Sequence, residues 1–88
     1  MLPSDDELTA RVLRIVAETQ RRDPATVSID NTFDELSIDS MDAVNIVFAV
    51  ENEFSIDVPD DDVRTIRTVR DVVDGVRRLV VAKASTAS

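Results

Sequence analysis

The stretch Asp39-Ser40-Met41-Asp42-Ala43-Val44-Asn45-Ile46-Val47-Phe48-Ala49-Val50-Glu51-Asn52-Glu53-Phe54 decides the fold of this chain. Ala43, Ile46, Val47, Val50 and Phe54 recur at i, i+3, i+4, i+7 and i+11, the spacing of one helical face. Asp39 stands where an N-cap belongs, with Asp42 three residues on as a weaker capping-box partner. Met41, Val44 and Phe48 form a second apolar stripe, rotated away from the first. A helix apolar on two sides is either deeply buried or carries an extra contact surface. Deep burial is hard to arrange in 88 residues, so the second stripe is a candidate interface. Plain core packing is the alternative for these three residues.

Upstream, residues 23–38 show no helical or strand period, only apolar anchors at Val27, Ile29, Phe33 and Leu36. They predict a packed loop with room for a short helical turn, and loops this long in small domains are usually functional or disordered. Before it, Ser4-Asp5-Asp6-Glu7 has the form of a capping box, and Leu8, Val12, Ile15 and Val16 share one face. A first helix is expected over about residues 4 to 20, with Arg21 and Arg22 at its negative end and Asp23-Pro24 stopping it. Downstream, Ser55-Ile56-Asp57-Val58-Pro59 breaks the central helix, and Asp60 to Ile66 predicts a short third one. Thr68-Val69-Arg70-Asp71 opens a last helix whose apolar face is Val69, Val72, Val73, Val76 and Val80, weakened at Gly75. The expected fold is all-α: a four-helix bundle with three longer helices, one short third helix and a long loop between helices 1 and 2. One domain is expected over residues 1–82, with a flexible C-terminal tail over residues 83–88.

Composition narrows the chemistry. The chain has no Cys, His, Trp or Tyr, which removes disulfides, thiolate nucleophiles, Cys/His zinc sites and histidine acid–base catalysis. An enzyme is therefore not expected. The net charge of -8 repels nucleic acid and anionic lipid and attracts basic protein partners. No run approaches the roughly 20 apolar residues of a membrane span. Met1 to Asp6 has neither the basic start nor the apolar run of a signal peptide, so a cytoplasmic monomer is expected. Asp57, Asp60, Asp61 and Asp62 lack EF-hand spacing and read as solvated helix-start acids; no metal site is expected.

The segment Leu36-Ser37-Ile38-Asp39-Ser40-Met41 places a serine at the first turn of an acidic helix, directly after a loop. The end-field of a helix N-terminus tolerates phosphate oxygens there. By itself, however, Asp-Ser at a helix start reads most simply as a cap.

The wider pattern adds to this. Asp39-Ser40-Met41, then Val44, Glu51-Asn52-Glu53-Phe54, the Val58-Pro59-Asp60 turn and Thr68-Val69 resemble the acyl carrier protein family, from helix 1 to about Val80. The resemblance implies that Ser40, in its motif with Asp39, receives 4′-phosphopantetheine from coenzyme A through a separate, magnesium-dependent phosphopantetheinyl transferase. It implies a partner-binding face at Met41, Asp42, Val44, Asn45, Phe48 and Glu51, and an acyl-chain pocket drawn from Phe33, Leu36, Ile46, Phe54 and Ile66. The implied partners are that transferase, an acyl- or aminoacyl-loading ligase or transferase, and a downstream synthase or acyltransferase with a basic docking surface. Two departures stand out: Ser37 where the family often has Gly, and Asn45 where fatty-acid members commonly carry Glu. Together they suggest a carrier of a specialised lipid, polyketide or related biosynthetic pathway. The alternative is an interaction module that keeps the carrier fold and works unmodified.

Overall fold

The computed structural model describes residues 4–87, with Met1–Pro3 and Ser88 outside the described residues. Four helices follow in order: α1 (Asp5–Thr19), α2 (Ser40–Phe54), α3 (Asp60–Thr65) and α4 (Val69–Ala87), with one 3-10 turn at Pro24–Thr26. No strand is present among the described residues; one isolated antiparallel bridge joins Thr32 to Thr68. The all-α bundle with a short third helix and a long first loop is as expected.

Three of the four helices start where a side chain satisfies an otherwise unpaired amide. Ser4 Oγ accepts from the Glu7 amide at 3.1 Å and begins α1. Asp39 does the same for α2 through Asp42. Thr68 Oγ1 accepts from the Asp71 amide at 3.0 Å, while Asp71 Oδ2 accepts from the Thr68 amide at 3.1 Å, a reciprocal box at the start of α4. α3 has Pro59 at its cap position and no side-chain cap, which suits a helix of six residues.

The buried residues other than Val47 form one aliphatic cluster with a single aromatic ring, that of Phe33. Val12 and Val16 of α1, Ile46 and Val50 of α2, and Val69 and Val73 of α4 are shielded almost completely, and no polar or charged residue among those described is buried. Burial of this kind drives folding because it removes apolar area from water without stranding a polar group. α1 packs against both α2 and α4; α3 contributes no fully buried residue and leans on α2.

The long loop is fastened rather than free. Val27, Phe33, Leu36 and Ile38 are buried in the core cluster. Thr32 and Glu35 exchange bonds: the Thr32 amide donates to Glu35 Oε1 at 2.7 Å, and the Glu35 amide to Thr32 Oγ1 at 3.0 Å. The backbone bond from Thr32, with help from Asn31, holds the exposed Glu35 carboxyl below the usual glutamate range. Phe33 then donates its amide to the Arg67 carbonyl and Val69 to that of Asn31, tying the loop to the start of α4.

One boundary differs from expectation. The tail expected over residues 83–88 continues α4 as far as Ala87. Ala82, Lys83 and Ala84 are strong helix formers, and Lys83 Nζ reaches the Ser55 carbonyl at 2.6 Å, bonding α4 to the end of α2.

Gly75 sits inside α4, and a Cβ added there meets nothing within 4 Å. Gly75→Ala is expected to raise stability by about 0.5–1 kcal/mol, because the backbone entropy penalty of glycine in a helix is removed without a clash. Chemical denaturation of both proteins measures it; an unchanged or lower midpoint contradicts the reading.

Candidate functional site

The chain rises out of the core over three residues. Ile38 is buried and donates its amide to the Phe33 carbonyl at 2.9 Å. Asp39 is extended, at φ -88° and ψ -176°, and its Oδ1 accepts from the Asp42 amide at 2.8 Å. Its carbonyl accepts from the Ala43 amide at 2.9 Å, so side chain and backbone together fix the first turn. Ser40 is the first residue of α2 and is exposed. Its Oγ takes no hydrogen bond among the described residues, which leaves the hydroxyl available to an incoming group. The chain has no His or Cys to deprotonate it.

Ser37 closes the turn before the helix. It adopts φ 57°, a left-handed backbone that disfavours a residue with a Cβ, while its amide donates to the Asp34 carbonyl at 3.1 Å. Two other non-glycine residues, Arg21 and Ser55, take positive φ where α1 and α2 end.

The second stripe of α2 faces outward. Met41 is 71% exposed, Phe48 59% and Val44 37%, whereas Ile46 on the opposite face is at 0%. Asn45 is exposed beside them. These large apolar side chains stand in solvent at helical spacing, so the core-packing alternative does not hold for them. Two acids of α2 are bonded within the chain. Glu51 Oε2 accepts from the Val58 amide at 2.9 Å and holds the α2–α3 connection. Glu53 pairs with Arg11 at 2.7 Å and Arg14 at 3.8 Å, joining α2 to α1. Asp42 is half-buried and Asp39 serves as the cap.

Two clefts adjoin α2. One, of about 780 Å³, is shared by Ser40, Phe33 and Ile38 with Val63, Arg64, Ile66 and Arg67. The other, of about 400 Å³, lies between α2, α3 and α4, with Val47, Val50, Val72, Val76, Leu79 and Gly75 in its walls. Ile66 belongs to both, and so stands between the serine and the inner cleft. Of the five residues expected in an acyl-chain pocket, Phe33 and Ile66 line these clefts. Leu36 and Ile46 are in the closed core, and Phe54 turns toward α1, with the Arg11 guanidinium 4.5 Å from its ring centre. The spacing of Val47, Val50 and Val76 places them on core faces, and helical periodicity does not distinguish a core wall from a cleft wall. No group of three or more acidic, His or Cys side chains among the described residues could hold a metal ion.

A serine hydroxyl standing free at a helix start, with an open cleft beside it and an apolar stripe below it, fits a covalent phosphodiester arm. Residues 10–76 match the family model described as the phosphopantetheine attachment site. The acyl carrier protein of Rickettsia typhi is 35% identical over 78 residues, covering 88% of this chain and 91% of that protein. That of Rickettsia canadensis is 33% identical over the same length and coverage. The crystal structure of an acyl carrier protein from Thermotoga maritima superposes with a TM-score of 0.78 at 33% identity, over 89% of this chain and 92% of that one.

Ser37→Gly tests the strained turn. Relief of about 1–2 kcal/mol of left-handed strain is partly offset by about 0.4–1 kcal/mol of added unfolded-state entropy. A net stabilisation of about 0–1.6 kcal/mol is expected in urea melts, and a clear destabilisation would show that the Ser37 side chain supports the turn.

Proposed function

The chain belongs to the acyl carrier protein family, whose members bear a covalently attached 4′-phosphopantetheine and are carriers rather than enzymes; from that premise we propose that Ser40 is its attachment residue. The observation that carries this is the position of Ser40: exposed, first in α2, its hydroxyl unbonded, with Asp39 capping the helix in front of it. When attached, the arm supplies a thiol on which an acyl group is held as an activated thioester at the end of a reach of about 20 Å. The remaining work falls to the chain itself. The cap and the buried face of α2 hold Ser40 in one place, so the transferase meets a fixed hydroxyl. Met41, Val44, Asn45 and Phe48 offer partner enzymes a small apolar face beside the attachment point, where contact is made and released quickly. The -8 net charge steers basic partners toward the chain over distances longer than the contact itself.

The clefts support a sheltering role for cargo. An acyl chain leaving the solvent past Ile66 would lie against Val47, Val50, Val72 and Val76, gaining roughly 0.8 kcal/mol per buried methylene. Asn45 on the docking face, in place of an acid, supports a carrier dedicated to a specialised lipid, polyketide or related pathway with its own loading and condensing enzymes.

Incubation with coenzyme A and a broad-specificity phosphopantetheinyl transferase is expected to add about 340 Da, one arm, to the intact mass. Ser40→Ala is expected to show no gain while keeping its helical circular dichroism. Absence of the gain in the parent protein, or its survival in the variant, overturns the assignment.

A further inference from the structure

We propose that Arg64 and Arg67 form an anion seat for the phosphodiester that joins the arm to Ser40; the inference rests on the attachment reading above. In this acidic chain most arginines of the helical body are engaged by carboxylates. Arg11 and Arg14 pair with Glu53, Arg70 with Asp30, Arg77 with Asp5 and Asp74, and Arg78 with Asp62. Arg64 and Arg67 join no ion pair among the described residues, although the chain has 18 acidic side chains. Both stand in the wall of the cleft that Ser40 shares, opposite the start of α2.

Arg67 is also held in place. Its Nη1 donates to the Arg64 carbonyl at 3.0 Å and the Ile66 carbonyl at 3.3 Å, closing the end of α3. Nε and Nη2 make no hydrogen bond among the described residues. Arg64 lies one turn earlier, in the last turn of α3, and its guanidinium is uncommitted.

The charge balance of the cleft points the same way. Its ionisable lining consists of Asp34 and Asp39 against Arg64 and Arg67, so it is formally neutral within a chain of -8. A phosphodiester on Ser40 adds one negative charge beside Asp39. Without a cationic wall that charge would meet only like charges; two guanidinium groups across the cleft offset it and present planar donors suited to phosphate oxygens. Because the phosphate is tethered, even a weak contact is populated. The seat would bias the arm to leave Ser40 toward α3 and Ile66, the direction of the inner cleft, and free it when salt or a partner's own charges compete.

The test compares full-length apo and holo protein, with attachment established by intact mass before any spectrum is compared, so loss of attachment and loss of the seat are read separately. The side-chain Nε–Hε resonances of Arg64 and Arg67 are expected to move on attachment, those of Arg21 and Arg22 to stay. The phosphorus resonance of the holo protein is expected to shift in R64Q/R67Q, and in R64Q alone, where the Arg67 bonds that close α3 remain. Unmoved Arg64 and Arg67 resonances, equal movement in all four arginines, or a phosphorus resonance identical in parent and R64Q overturns the proposal.

Discussion

The packing of one face of α2 against α1 and α4 governs the rest of this structure. Ile46 and Val50 sit among Val12, Val16, Val69 and Val73 with no polar group in the cluster. A helix turns by about 100° per residue, so sealing that face fixes what every other residue of α2 does. Met41, Val44 and Phe48 are turned out because Ile46 and Val50 are turned in. A rotation by a single residue would put either Asn45 and Ala49 or Val47 and Glu51 in the places of Ile46 and Val50, stranding an amide or a carboxylate in an apolar interior. The position of Ser40 is thus a consequence of aliphatic packing some two turns away.

The loop before α2 completes that constraint. Phe33, Leu36 and Ile38 are anchored in the core, and the Thr32–Thr68 bridge ties them to α4. The chain therefore reaches Asp39 from a fixed direction, although it is neither helix nor strand. α3 is the contrasting element: six residues, no buried side chain and no side-chain cap, held by its C-cap Ile66 at the edge of the core and by a partly exposed Arg78–Asp62 pair at 3.4 Å. An ion pair of that exposure contributes little. The element between the serine and the inner cleft is thus the one least secured by packing.

Much of this was legible in the sequence, and for stated reasons. Caps and hydrophobic spacing are local, so α1, α2 and the starts of α3 and α4 follow from Ser4, Asp39, Pro59 and Thr68. The two stripes of α2 were also readable, since an 88-residue chain cannot bury both. What spacing does not encode is the partner of a long polar side chain. Glu51 reads as a free docking acid, yet it holds the Val58 amide; Glu53 is drawn to Arg11, forty-two residues away. Phe54 follows the core period of α2 but lies under that same Arg11. Residues 83–87 read as a tail because small residues at a chain end carry no apolar spacing, and the bond from Lys83 to Ser55 depends on tertiary position.

Native-state amide hydrogen exchange along α2 tests the central claim, that a core-sealed helix presents an exposed start. Amides from Ile46 to Val50 are expected to exchange only through global unfolding, at the slowest rates in the chain. Those of Ser40 and Met41, with no hydrogen-bond acceptor among the described residues, are expected to exchange far faster, and α3 to lie between. Exchange in the middle of α2 as fast as in α3 would contradict the account, because Ser40 would then have no rigid platform behind it.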